Sequence, residues 1–159
     1  MRIIEGGGDP LIVIRRLVVH SSEDVGMADP NALVVATSAL TAFQNIGYPE
    51  GLIPLANAII YVCEAPKSNS VVTALGKAKA DAREVRDDDG VPAYLKDNSF
   101  GTKADKAQSR LYKYPHDYGG YVEQQYLPDK LKDRIYYVPS DNGFEKTVKE
   151  IQKQKGKKN

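Results

Sequence analysis

Apolar residues in the first half of the chain recur at intervals of three and four, the period of a helix with one buried face. Asp9-Pro10 is a start signal: a carboxylate caps free backbone N–H groups, and proline suits the first helical position. Leu11, Ile14 and Val18 follow at helical spacing, interrupted by Arg15 and Arg16. Asp29-Pro30 repeats the signal ahead of Leu33, Ala36, Leu40 and Phe43, and Gly47 is a C-terminal stop. Pro49 opens a third segment in which Leu52, Leu55, Ala56, Ile59 and Cys63 line one face, with Pro54 tolerated in its first turn. Pro66 bars continuation. Ser68 or Asn69 then caps a fourth helix carrying Val71, Leu75, Ala78, Ala82 and Val85, which ends at Arg86 and the acidic run Asp87-Asp88-Asp89-Gly90.

After that run the pattern changes. Residues 91 to 111 mix proline, glycine and charge and read as a loop with short helical turns. Tyr112 to Pro128 is aromatic and turn-rich, and Ile135-Tyr136-Tyr137-Val138 has the composition of a strand. Phe144, Val148 and Ile151 return to helical spacing, with Glu145 and Lys149 four apart as a favourable surface pair. The expected fold is mainly α: a compact helical bundle over residues 9–90, then a tyrosine-rich basic subregion, 91–152, packed on it with a small β or irregular element. Residues 153–159, with Lys153, Lys155, Lys157 and Lys158, form a disordered tail.

Composition changes this picture in two places. The 159 residues carry a net charge of +1, but residues 1–90 hold 8 basic against 12 acidic side chains, and residues 91–159 hold 14 against 9. Eight of the ten tyrosines lie in the second part. That half has two readings. Lys113, Lys130, Lys132 and Arg134 can neutralise phosphates while Tyr112 or Tyr114 stacks on bases. Alternatively the tyrosines form a local core beneath a solvated lysine face, which the lack of a recognition motif favours. The single cysteine excludes an internal disulfide, and no apolar run reaches membrane-spanning length. A cytoplasmic protein with no membrane partner is expected.

Candidate chemistry is sparse. Gly6-Gly7-Gly8 precedes Asp9-Pro10 without the Lys-Ser/Thr pair of a phosphate-binding loop and reads as a flexible joint; Gly76-Lys77 lacks the upstream glycine. The acidic run places Val85 and Lys96 where a calcium loop needs carboxylates. His20, His116 and Cys63 are too few for a structural zinc site, and Cys63 reads as a core residue. His20, Ser21, Ser22 and Asp24 contain the residue types of a hydrolase triad, but neighbours on one short stretch rarely converge on one atom, so a helix-terminal histidine and capping serines are expected. His116-Asp117 reads as a turn rather than an acid/base pair. No catalytic, cofactor or metal site is expected.

Four blocks resemble one family. DPLIVIRRLVVHSSEDVGMADPNAL (Asp9 to Leu33), YVCEAPKSNSVVTAL (Tyr61 to Leu75), YKYPHDYGGYVEQQYLP (Tyr112 to Pro128) and YYVPSDNGFEKTVKEI (Tyr136 to Ile151) are similar to signatures of the RarA/MgsA replication-associated recombination ATPases, relatives of the Werner-helicase-interacting ATPase. The signature positions here include Asp9, Pro10, Arg15, Arg16, Glu23, Asp24, Asp29, Pro30, Lys67, Ser68, Asn69, His116 and Asp117, all read as structural. Within them, Arg15 and Arg16 are expected to bond the nearby acidic segment, and Lys67, Ser68 and Asn69 to end one helix and cap the next.

The resemblance implies the C-terminal, clamp-loader-collar-like domain of an AAA+ ATPase, with ATP and magnesium held in a nucleotide-binding region that this chain lacks. Residues 1–8 would then be the remnant of a preceding lid, loosened by the extra glycines. It further implies homotetramer assembly, action on stalled forks, gaps or duplex ends through the parent, single-stranded-DNA-binding protein as a partner, and a nucleoid-associated location. The expected function is oligomerisation, with single-stranded or forked DNA binding by the basic half as the rival.

Overall fold

The computed structural model describes residues 1–85, 90–96, 102–103 and 111–156. The acidic run at 87–89, most of the expected loop between 97 and 110, and Lys157 and Lys158 lie outside the described residues. The structure is mainly α, and no strand occurs among the described residues. The α-helices among the described residues are α1 (Arg2–Glu5), α2 (Pro10–His20), α3 (Asn31–Ile46), α4 (Leu52–Glu64), α5 (Ser70–Glu84) and α6 (Phe144–Gln154).

Local chemistry sets the helix ends. Asp9 Oδ1 accepts from the Leu11 N–H at 2.8 Å, with Pro10 opening α2. Asp29 Oδ1 accepts from the Asn31 N–H at 3.0 Å and so caps α3 from outside its first turn. Gly47, at φ +79°, closes α3 by donating its N–H to the Phe43 carbonyl at 2.8 Å. Pro54 falls in the first turn of α4 as expected, where its missing N–H costs nothing. Beyond α2 the chain widens into a π turn, Ser21–Val25, and then tightens into a 3-10 turn, Gly26–Ala28, which together bury Ser21, Val25 and Ala28.

The chain divides into two compact units, Met1–Leu75 with Tyr137–Asn159, and Gly76–Tyr136. The division falls inside α5 rather than after it. In the first unit α3 and α4 form an antiparallel hairpin, and two apolar clusters make the core. Val25, Ala32, Val62 and Ala65 form one, with Leu17 and Tyr61 against it. Ile4, Ile14 and Leu55 form the other, with Leu40, Phe43 and Ile59 among its neighbours. Each fully buried side chain of this size contributes about 1.5–3 kcal/mol.

Several expectations give way here. The glycine run is not a loose joint: the N–H groups of Gly6, Gly7 and Gly8 donate to the carbonyls of Arg2, Ile4 and Ile3, closing α1 while Ile4 enters the core. A Cβ on Gly8 would lie 2.6 Å from Ile3 Cγ2, so the third glycine is required by close approach. Cys63 is exposed, because α4 turns Leu55, Ala58 and Val62 inward instead of Ala56 and Cys63. On α5 Leu75 and Ala82 are exposed, while Ser70 and Asp81 are buried. The segment 135–138 joins no ladder; the hydroxyls of its two tyrosines are taken up by carboxylates instead.

Candidate functional site

Glu145 is fully buried in the first turn of α6 and organises the polar chemistry of the first unit. Its Oε2 accepts from Ser68 Oγ at 2.6 Å and from the Ser140 N–H and Oγ at 2.9 and 2.5 Å. Its Oε1 accepts from the Tyr137 hydroxyl at 2.9 Å and from Ser70 Oγ. Burial on its own raises the pKa of this carboxyl. The donors from Ser140, Ser68 and Ser70 outweigh it and hold the group down at about 2. The Tyr137 hydroxyl moves the other way, raised by burial and by donating to the carboxylate. Five donors on one carboxylate favour its ionised form, since protonation would force at least one of the hydroxyls to turn from donor to acceptor.

Three separated stretches converge on this node. The Ser68 N–H donates to the Asp24 carbonyl at 2.8 Å, and Asn142 Nδ2 donates to the Lys67 carbonyl at 2.8 Å. Gly143, at φ +51°, lies so close to the Ala28 carbonyl that a Cβ would overlap it, and would stand 2.6 Å from Pro66 Cγ. Lys67 Nζ donates to the carbonyls of Val62 and Cys63 at 2.8 and 3.0 Å, and to that of Ala65, which satisfies two orphan acceptors in the last turn of α4 and the one at its C-cap. Ser68 Oγ also accepts from the Ser70 N–H at 3.2 Å at the start of α5, and the Asn69 carbonyl accepts from Thr73. Asp24, Lys67, Ser68, Asn69, Ser140 and Asn142 line an open polar cleft above the node.

The remaining signature residues are placed as follows. Asp29 Oδ2 accepts from the Tyr61 hydroxyl at 2.8 Å, tying α4 to the start of α3 and raising the tyrosine pKa. Pro30 is exposed, and so are Arg15, Arg16 and Glu23. The expected bonds from the two arginines to the acidic segment are not formed among the described residues, because both project from the solvent side of α2. Asp24 pairs instead with His20 Nδ1 at 2.5 Å, one turn back. His20, Glu23 and Asp24 bring ligand atoms within 4.8 Å of one another, all exposed, as on a solvated helix end. Ser21 Oγ donates back to the Val18 carbonyl at 2.7 Å and is no nucleophile for that histidine. The expected Glu145–Lys149 pair is absent for the reason already given: Glu145 faces inward, and Lys149 Nζ donates to Asp141 Oδ1 at 2.8 Å, which lowers the pKa of that aspartate.

In the second unit Arg134 Nη2 lies 3.1 Å from Oδ1 of the buried Asp81, an ion pair that holds one nitrogen of a guanidinium whose side chain is still 57% exposed. Tyr136, its pKa raised by burial and by its bond to Asp81, completes that anchor on α5. Lys113 uses its backbone: its N–H and carbonyl pair with the Gln124 amide at 3.1 and 2.9 Å, leaving the side chain exposed. Lys130 and Lys132 are exposed. Tyr114 is exposed with its ring 4.9 Å from that of His116, which sits beside Asp117 in an exposed 3-10 turn. Tyr112, Tyr118 and Tyr126 are exposed too, so these tyrosines do not form the expected local core.

Sequence reasoning missed Glu145 as an anchor. The available signal was its position two residues after Asn142-Gly143, in a block that resembled a family signature, but nothing local marked the carboxylate as buried.

The family profile described as "MgsA AAA+ ATPase C terminal" matches residues 1–155. The replication-associated recombination protein A of Bacillus subtilis is 44% identical over 152 residues, covering 94% of this chain and 36% of that protein. Proteins of the same name match at 43% identity over 151 residues in Haemophilus influenzae, covering 94% of the chain and 34% of the relative. In Escherichia coli K12 the match is 41% over 151 residues, again 94% and 34%. The chain spans about a third of the length of these curated relatives.

Proposed function

The chain belongs to the C-terminal family of the MgsA AAA+ ATPases, and on that premise we propose that it is the assembly domain of a replication-associated recombination ATPase, forming a homotetramer. It contributes no ATP hydrolysis of its own; nucleotide and magnesium belong to the nucleotide-binding region of the parent. The observation that carries the reading is in the first unit, where exposed large apolar side chains outnumber buried ones: Leu33, Val34, Ile46, Tyr48, Ile53 and Ile60 lie open on one helical hairpin, against Ile4, Ile14, Val25, Leu55 and Val62 inside. Single exposed apolar residues are ordinary, but this many on a small bundle mark a surface meant to be covered. Association would gather the weak DNA contacts of several parent subunits into avidity at forks or gaps. Single-stranded-DNA-binding protein as a further partner and a nucleoid-associated, cytoplasmic location accord with a replication role.

Light scattering on a size-exclusion column across a concentration series tests this. A mass near four chains that persists on dilution is expected, and a monomer at every concentration would defeat it.

A second reading rests on the exposed rings of Tyr112, Tyr114, Tyr118 and Tyr126, in a stretch of sequence that also carries the exposed Lys113 and Lys132. Aromatic rings open to solvent beside cations suit stacking on unpaired bases. On this reading the isolated chain binds single-stranded DNA with an affinity that falls steeply with salt and drops severalfold in Tyr114→Ala. A salt-independent or undetectable affinity removes it.

A further inference from the structure

Between Asn31 and Cys63 the chain carries one charged residue, Glu50 in the turn joining α3 to α4, although 27% of all residues are charged. A solvated surface of that length is normally a quarter to a third charged. The hairpin is nevertheless open: Ile53 is 72%, Ile60 64% and Val34 58% exposed. Between the two helices runs a shallow, mostly apolar groove, with Val34, Ser38 and Ala42 on one wall and Pro54 and Asn57 on the other.

The polar side chains along the outer side of α3 are already engaged. Thr37 Oγ1 donates to the Leu33 and Val34 carbonyls at 2.8 and 3.0 Å, and Thr41 Oγ1 to the Thr37 carbonyl at 3.1 Å. Asn45 Nδ2 donates to the Thr41 carbonyl at 2.8 Å. Covering this face would therefore leave both threonine hydroxyl donors and one N–H of Asn45 already paired, which lowers the penalty for drying it.

We propose that the α3–α4 face is the self-association surface, packing against the same face of a second copy across a two-fold axis. The proposal rests on the assembly reading above and names the interface that reading requires. The charge pattern selects the occupant. A nucleic acid or a strongly charged protein is recognised by complementary charge, and this face has none to offer. Two identical copies, by contrast, meet here without like-charge repulsion.

Shape agrees. Ile53 and Ile60 stand one helical turn to either side of Asn57, so the patch carries a ridge beside its groove, as a self-complementary surface must. Ile46, 57% exposed, and Tyr48, 64% exposed, extend the open apolar surface to the turn end of the hairpin. One two-fold face closes at a dimer, so a tetramer adds a second contact elsewhere.

The test compares the solution mass of the 159-residue chain with that of three variants, each checked for helicity and cooperative melting. Ile53→Lys combined with Ile60→Lys places like charges across the axis, Ser38→Arg fills the groove from an exposed position, and Ile12→Lys charges an exposed site on α2. The expected result is at least a twofold drop in mass for the first two variants and none for the third. Retention of the wild-type mass by both hairpin variants would overturn the surface while leaving assembly intact. A monomeric wild type would overturn both and assign the face to a different protein. If the double variant fails to fold, Ser38→Arg decides by the same criterion.

Discussion

A carboxyl group that burial alone would drive toward its neutral form is held ionised at residue 145 by hydroxyls from Ser68, Ser70, Tyr137 and Ser140. Its pKa of about 2 lies below the roughly 4.3 of an unfolded glutamate, so it stabilises the fold in full above about pH 5. That contribution, about 3 kcal/mol from a shift of this size, is lost as the pH falls from about 4.5 toward 2. Glu145→Gln is therefore expected to lower stability by about 2–4 kcal/mol at pH 7, because the hydroxyls keep their burial and lose an ionic acceptor. It should also flatten the acid limb of the stability profile, read by urea unfolding from pH 7 to pH 3. None of this was legible from residue spacing. Glu145 and Lys149 satisfy the rule for a surface pair, and the rule has no access to donors 75 and 77 positions away. Asp9 and Asp29, whose partners lie two residues on, were legible because their chemistry is local.

At the level of elements, α6 is joined to the first unit by its leading turn more than by its apolar stripe: Phe144 and Ile151 stay exposed while Glu145 is buried. The approach of that turn depends on Gly143, whose positive φ and contact with the Ala28 carbonyl admit no side chain. Gly143→Ala should cost at least about 2 kcal/mol, combining backbone strain with a displaced helix start. Thermal melting checks it, and Gly47→Ala, at a positive φ but with open space around it, separates strain from overlap. The helices themselves were readable, since caps, prolines and 3.6-residue periods are written in neighbouring positions. Which face each helix buries was read less well. α4 turns Ala58 and Val62 inward where Ala56 and Cys63 were expected, a rotation that apolar residues on nearly every side of the helix leave undetermined until a neighbour packs against it.

For the whole molecule, assembly would make stability a function of concentration. Only the folded state associates, so melting temperature should rise with chain concentration, and the Ile53→Lys, Ile60→Lys variant should lose that dependence while Ile12→Lys keeps it. The sequence alone could name a family and a bundle but not a face, because burial within a chain and burial between chains select the same residues. The uncharged stretch from Asn31 to Cys63 was visible from the start; its meaning came only once Ile53 and Ile60 proved to be open. The node at Glu145 has a further consequence for biosynthesis. Its unit is assembled from the first 75 residues and the last stretch of the chain, with the second unit inserted between them. A ribosome adding about 5–20 residues per second needs on the order of 4 to 15 s to travel from Ser68 to Glu145. Through that interval the nascent bundle displays its serine hydroxyls to water and its apolar hairpin to neighbouring polysomal chains, so the window in which nascent copies can meet opens before the fold is closed.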